Sequence, residues 1–172
     1  PGNNTAIQIY CPTLVEGNII YDCVDGIEGK GGGNVFRNNV VFRCSGAEAM
    51  SNRSGSNNLF ENNLLFENTL AWEIYSGNKN TWRNNIVLNC RMIARIKRGG
   101  PGGFQGMLLE QNLFSANRRG FSFEGVTCPA DHIHFHKNTF IGGGKIETEG
   151  RGHHRETGRV ERATWAKDRG VK

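Results

Sequence analysis

Apolar and polar positions in this chain follow no sustained helical period. Between Asn34 and Cys44 the stretch NVFRNNVVFRC sets an apolar residue, a charged residue, two asparagines and an apolar run in that order, and NLFENNLLFEN from Asn58 and NTWRNNIVLNC from Asn80 repeat it. The recurring asparagine falls at Asn18, Asn39, Asn63, Asn85, Asn112 and Asn138, at spacings of 21, 24, 22, 27 and 26 residues. Three positions earlier stand Val15, Phe36, Phe60, Trp82, Leu109 and Phe135, all apolar. After it come Ile19-Ile20, Val40-Val41, Leu64-Leu65, Ile86-Val87, Leu113-Phe114 and Thr139-Phe140. Runs this short, rich in Val, Ile and aromatics and bounded by Gly and Asn, predict a set of short strands per unit and not a helix pair.

A unit of about 22 residues made only of short strands cannot bury its apolar face alone, so the units are expected to stack as a solenoid. Stacking brings like positions to about 4.8 Å. An amide carries both donor and acceptor, so an asparagine column can hydrogen-bond up and down the stack. The charged position reads Glu16, Arg37, Glu61, Arg83, Glu110, His136. Its alternating sign suits strands in register, where like charges one rung apart would repel. A second column, Asp22, Arg43, Glu67, begins the same way.

NVFRNNVVFRC, NLFENNLLFEN and HIHFHKNTFIG resemble coils of the right-handed parallel β-helix proteins, the pectate-lyase-like class with its asparagine ladder. The resemblance implies an all-β fold, a right-handed parallel β-helix of about six coils over residues 1–143. Residues 144–172 are expected to form a charged tail or cap, irregular and partly helical around Val160, Ala163, Trp165 and Ala166. The class includes polysaccharide lyases, hydrolases and epimerases, tailspikes and non-catalytic repeats, and the fold does not choose among them.

Charge narrows the partners. The formal net charge is +5, with 21 Lys and Arg against 16 Asp and Glu. Of these, 8 and 5 lie in residues 144–172, leaving 13 against 11 for the rest. The body therefore lacks the dense one-sided basic patch of a nucleic-acid binder, and no nucleic-acid partner is expected. No apolar run approaches the ~18 residues of a membrane span, and none is expected. A secreted or cell-surface setting is the expectation.

Cys23, Cys44 and Cys90 lie five residues after a ladder asparagine, in a column completed by Asn68, Asn117 and Gly143. Cys23 and Cys44 are expected to be neighbours within disulfide reach, although a small buried residue filling a turn is the simpler reading of the column. GKGGG at Gly29–Gly33 and GGPGG at Gly99–Gly103 lack the phosphate-loop form and read as loops between coils. His132, His134 and His136 alternate on one strand face, where splayed imidazoles make a solvated face rather than a metal site.

The remaining strand of each coil carries the candidate chemistry: GIEGK, AEAM, AWEIYSG, ARIKRGG and GFSFEG. Ile27, Ala47, Trp72, Ala94 and Phe121 are read as one inward column, with Ala49, Ile74, Ile96 and Phe123 two positions on. The outward columns are then Glu28, Glu48, Glu73, Arg95 and Ser122, followed by Lys30, Met50, Tyr75, Lys97 and Glu124. Glu48 joins only through a turn one residue shorter than in other coils. The inventory suits an acidic, uronate-rich polysaccharide. Arg95, Lys97 and Arg98 would neutralise a carboxylate, Tyr75 would stack on a sugar, and Glu48 and Glu73 are candidates to hold Ca2+ or to share a raised pKa. In β-elimination the base would come from Lys97, Arg95 or Tyr75, with Glu73, Glu48, Arg98 and Glu124 binding substrate. The resemblance implies the same face, since pectate-lyase-like enzymes bind glycans along one parallel sheet. The competing readings are a mixed-charge solvated face on a structural or adhesion repeat, and end-to-end self-association of exposed coil edges into a filament.

Overall fold

The computed structural model describes residues 5–97, 104–124, 133–142 and 146–147. Three short strands make each coil. The first coil comprises β1 (Thr5–Ile9), β2 (Leu14–Glu16) and β3 (Ile19–Tyr21), and the second β4 (Asp25–Gly29), β5 (Val35–Arg37) and β6 (Val40–Phe42). The third comprises β7 (Met50–Asn52), β8 (Leu59–Glu61) and β9 (Leu64–Phe66), and the fourth β10 (Leu70–Ile74), β11 (Thr81–Arg83) and β12 (Ile86–Leu88). The fifth holds β13 (Met92–Lys97), β14 (Met107–Glu110) and β15 (Leu113–Ser115), and the sixth β16 (Arg119–Glu124), β17 (Ile133–His136) and β18 (Thr139–Ile141). A further strand, β19 (Ile146–Glu147), pairs with β16 through Phe121↔Ile146. The solenoid thus runs past the boundary expected at residue 143; the rest of the tail, with its expected helix, lies outside the described residues.

Like strands pair in parallel, giving a seven-stranded sheet from β1 to β19 and two six-stranded sheets, β2 to β17 and β3 to β18. The registers of the two six-stranded sheets are those the repeat predicts. Val15, Phe36, Phe60, Trp82, Leu109 and Phe135 stand in one line. The buried members stack on one another: Phe36 lies 4.5 Å from Phe60 and Phe60 4.9 Å from Trp82, ring centre to ring centre and nearly parallel. Ile20, Val41, Leu65, Val87 and Phe114 face them from the third sheet, closing a core of stacked apolar rungs.

The corner between the second and third sheets shows why asparagine recurs. Asn39 Oδ1 accepts from the backbone and side-chain nitrogens of Asn18, each at 3.0 Å, and the arrangement repeats down to Asn138, which accepts from Asn112 at 3.0 and 2.9 Å. Each amide nitrogen from Asn39 onward also donates to a carbonyl of the coil before, as Asn63 does to Phe36 at 2.9 Å. The residue before the ladder asparagine, at Asn38, Asn62, Asn84, Gln111 and Lys137, has positive φ, a turn that asparagine tolerates. Two more ladders occupy the other corners. Asn34, Asn58 and Asn80 form one, with Asn34 donating to Asn58 and Asn58 to Asn80 at 2.8 Å through their backbone nitrogens. Asn68 and Asn117 form the other, accepting from the Cys44 and Cys90 backbone nitrogens at 3.0 and 2.9 Å. Gly77 serves the former: its φ is +118° and a Cβ there would lie 1.9 Å from the Gly55 carbonyl oxygen.

The charge column aligns as Glu16, Arg37, Glu61, Arg83, Glu110 and His136. It works in pairs rather than as a continuous chain. Arg37 closes on Glu16 at 2.8 Å and Arg83 on Glu61 at 2.7 Å, while Arg43 closes on Asp22 at 2.6 Å in the second column. Solvent reaches and screens these pairs, so their main effect is to disfavour a one-coil slip. The loop 99–103, Gly143 and His132 lie outside the described residues.

Candidate functional site

The first sheet departs from the sequence reading in one coil. From ladder asparagine to inward residue is nine positions in four coils, at Ile27, Trp72, Ala94 and Phe121, but eleven in the third, where Met50 and not Ala47 pairs with Ile27 and Trp72. The two extra residues bulge against β4 ahead of β7. Asp25 Oδ1 accepts the Ala47 nitrogen at 2.9 Å, and Ala49 O takes the Ile27 nitrogen at 2.9 Å. Gly26 is needed there, because a Cβ would lie 2.2 Å from Ala49 O.

Two corrections follow. The outward column is Gln8, Glu28, Ser51, Glu73, Arg95 and Ser122, with Ser51 where Glu48 was expected. Met50 is core, and the next outward position in that coil belongs to Arg53, whose backbone nitrogen bonds Gly29 O just as the Tyr75 nitrogen bonds Asn52 O. Glu48 still reaches the site, from the bulge. Counting back from the following asparagine aligns this coil with the next, since Met50 precedes Asn58 and Trp72 precedes Asn80 by eight residues.

Arg53 is the hub that the sequence reading missed. Its guanidinium reaches the rungs on either side, with Nε 2.7 Å from Glu28 Oε1, Nη2 2.9 Å from Glu48 Oε1 and Nη1 4.0 Å from Glu73 Oε2. Nη1 also donates to the Tyr75 hydroxyl at 2.7 Å. Lys97 Nζ lies 2.8 Å from Glu73 Oε1 and 3.5 Å from the Tyr75 hydroxyl. Arg95 bridges Glu73 at 3.4 Å and Glu124 at 3.3 Å. Lys30 lies 3.5 Å from Glu28, which also accepts from Gln8. The structure thus gathers Glu48, Glu73, Tyr75, Arg95, Lys97 and Glu124 into one cluster; Arg98 lies outside the described residues.

Burial decides the electrostatics. The side chains of Glu28, Glu48 and Glu73 are 5, 1 and 1 % exposed, whereas those of Lys30, Arg53, Arg95 and Lys97 are 28–33 % exposed. The glutamates form a floor and the cations a half-covered upper layer. Burial, followed by the charge of Glu73, pushes Glu48 up to about 7. Burial pushes Glu73 up too, but hydrogen bonds from Lys97 and Glu48 outweigh it and hold Glu73 below its ordinary value. The pair therefore keeps one proton near neutrality, and it resides on Glu48. This accounts for Glu48 Oε2, which is buried and accepts from no donor among the described residues: protonated, it donates to Glu73 instead. Burial alone would lower Lys97, but Glu73 raises it, and Tyr75 is raised by burial and by Glu73.

A carboxyl raised in the folded state binds its proton more tightly folded than unfolded, so stability is lost as pH rises from about 4.5 to about 7. The loss is about 2–3 kcal/mol. Glu73, being lowered, acts in a separate window below 4.5. Glu48→Gln supplies the donor permanently, so it is expected to match the wild type at pH 5 and exceed it by about 1–2 kcal/mol at pH 8 in denaturant titrations.

Among the described residues no group of three or more His, Cys, Asp or Glu side chains is placed to hold a metal ion. The glutamates expected to take Ca2+ are instead matched by Arg53, Lys97 and Arg95. His134 and His136 sit on β17, in register with Leu108 and Glu110. No described helix is long and apolar enough to cross a membrane.

No curated protein matches the chain. A family model described as a right handed beta helix region matches residues 2–154, a span that contains every described rung, and the chain belongs to that right-handed β-helix family.

Proposed function

We propose that the outer face of the first sheet binds an anionic polysaccharide, with uronate carboxylates meeting Lys30, Arg53, Arg95 and Lys97 and a sugar resting against Tyr75, in a secreted or cell-surface protein. One observation carries the reading: cations on the second, third and fifth rungs, flanking Tyr75 on the fourth, are paired with buried glutamates yet remain about a third exposed. Rungs recur every ~4.8 Å, so Lys30, Arg53 and Lys97 spread positive charge along the stack with Tyr75 between the last two, which favours a polymer bearing several anions over a single ion. The floor of glutamates offsets most of that charge. This suits carboxylates spaced along a sugar chain better than the dense phosphates of a nucleic acid.

The chemistry of the site favours binding over bond cleavage. β-Elimination needs an unprotonated base beside the proton α to the uronate carboxylate, and Glu73 keeps Lys97 and Tyr75 protonated at neutral pH. A lyase acting through Lys97 or Tyr75 would work only under alkaline conditions.

Calorimetry against polygalacturonate and alginate, with a neutral glucan as control, tests the reading. Binding is expected to the uronate polymers alone and to weaken with salt. It should strengthen about 3- to 10-fold from pH 8 to pH 6, because Glu48 gains a proton and frees the charge of Arg53. Lys97→Ala and Arg95→Ala should each weaken it about tenfold with the fold intact by circular dichroism. Ultraviolet-absorbing unsaturated products at high pH would add the lyase activity. No binding to any uronate polymer would leave the face to the structural or filament-forming repeat.

A further inference from the structure

We propose that Cys23 and Cys44 are a disulfide-forming pair that staples the first coil to the second. They occupy the same place at the third corner of adjacent coils, and as free thiols their Sγ atoms are 2.9 Å apart. Non-bonded heavy atoms rest at about 3.5–4.0 Å, so the pair needs little movement to bond. Stacked rungs put the Cα atoms about 4.8 Å apart, inside the range disulfides span.

The site also lacks the amide oxygen that two other steps of that corner have. Asn68 accepts the Cys44 backbone nitrogen and Asn117 that of Cys90, each through Oδ1. At the first step the residue facing Cys23 is Cys44, which offers a thiol in place of the amide oxygen, so a covalent link would stand where the ladder bond is missing. The first coil needs it most. Leu14, Ile19 and Tyr21 are more than half exposed, and Val15 and Ile20 are the least covered apolar residues of their columns among coils one to five. Other pairings are disfavoured. Asn68 separates Cys44 from Cys90, and exposed Cys11 faces Thr13.

Thiol–disulfide exchange with a small disulfide, such as oxidised glutathione, supplies the chemistry. Half-buried Cys23 loses its proton and attacks, forming a mixed disulfide and releasing one glutathione thiol. Cys44 is buried, and burial pushes its thiol pKa up, so it reacts second. Its thiolate attacks the Cys23 sulfur and releases the second glutathione. The protein loses two hydrogens, and one disulfide is reduced to two thiols.

The full chain incubated in graded ratios of oxidised to reduced glutathione, alkylated and digested without reduction, reads the outcome by mass spectrometry. The expected result is a peptide linked through Cys23 and Cys44, loss of both from alkylation, and a thermal midpoint about 5 °C above the reduced protein. Cys23→Ser or Cys44→Ser should abolish link and shift together. Cys11→Ser and Cys90→Ala should preserve both, which keeps the test decisive even where a serine variant folds poorly. Cys23 and Cys44 remaining alkylatable in excess oxidised glutathione, or Cys23 linked to Cys11 or Cys128, would overturn the proposal.

Discussion

Replacing Asn63 by alanine is expected to cost about 3–5 kcal/mol, more than any exposed substitution in the chain. The residue is buried in mid-stack, and its amide works in both directions. Oδ1 accepts the Asn39 backbone nitrogen at 3.0 Å and the Asn39 amide at 3.1 Å, while Nδ2 donates to Phe36 O at 2.9 Å and Asn85 Oδ1 at 3.0 Å. Truncation leaves a buried N–H and a buried carbonyl without partners, at about 1–3 kcal/mol each. Asn138 keeps the upward half of this pattern, accepting from Asn112 and donating to Leu109 O at 2.7 Å, and it is 8 % exposed against 1 % for Asn63. Asn138→Ala should therefore cost clearly less in denaturant unfolding. Equal losses at the two positions would mean that the ladder does not transmit cooperatively through the stack.

Arg53→Met should cost a comparable amount, about 3–5 kcal/mol at pH 7.5, for an electrostatic reason. Methionine conserves much of the apolar stem but leaves Glu28, Glu48 and Glu73 in their buried places without the guanidinium that touches all three. A carboxylate in that position must take up a proton or distort the rung. The penalty should accordingly shrink as pH falls toward 5, and Glu48→Gln in the Arg53→Met background should restore part of the lost stability. Coupling between the two substitutions of about 1 kcal/mol or more in a double-mutant cycle is the expected reading. A pH-independent loss with no coupling would assign the role of Arg53 to packing alone.

The parts of the molecule that could be read without coordinates share one property: they sit at constant offset from the ladder asparagine. The turn between the second and third sheets has the same length in every coil, so Phe36, Phe60 and Trp82, the alternating Glu16, Arg37, Glu61 and Arg83, and the asparagines themselves fall into register by counting. Identical local geometry repeated along a stack lets neighbouring coils check one another, and periodicity in sequence becomes periodicity in space.

The first sheet escapes that logic because its strands follow a turn whose length varies. Two additional residues in the third coil moved Glu48 off the column, put Met50 in the core and brought Arg53 to the centre of the cluster. No count from the preceding asparagine reports such a bulge, since what accommodates it is Gly26, on the neighbouring coil. The same holds for charge. The sequence by itself determined that carboxylates, cations and a tyrosine would share one face of a parallel stack. Only the tertiary structure decided that the carboxylates lie beneath and the cations above, because burial is a property of what covers a residue: Arg53, Arg95 and Lys97 reach Glu73 from other coils, and Glu48 meets Arg53 only because the bulge brings it there.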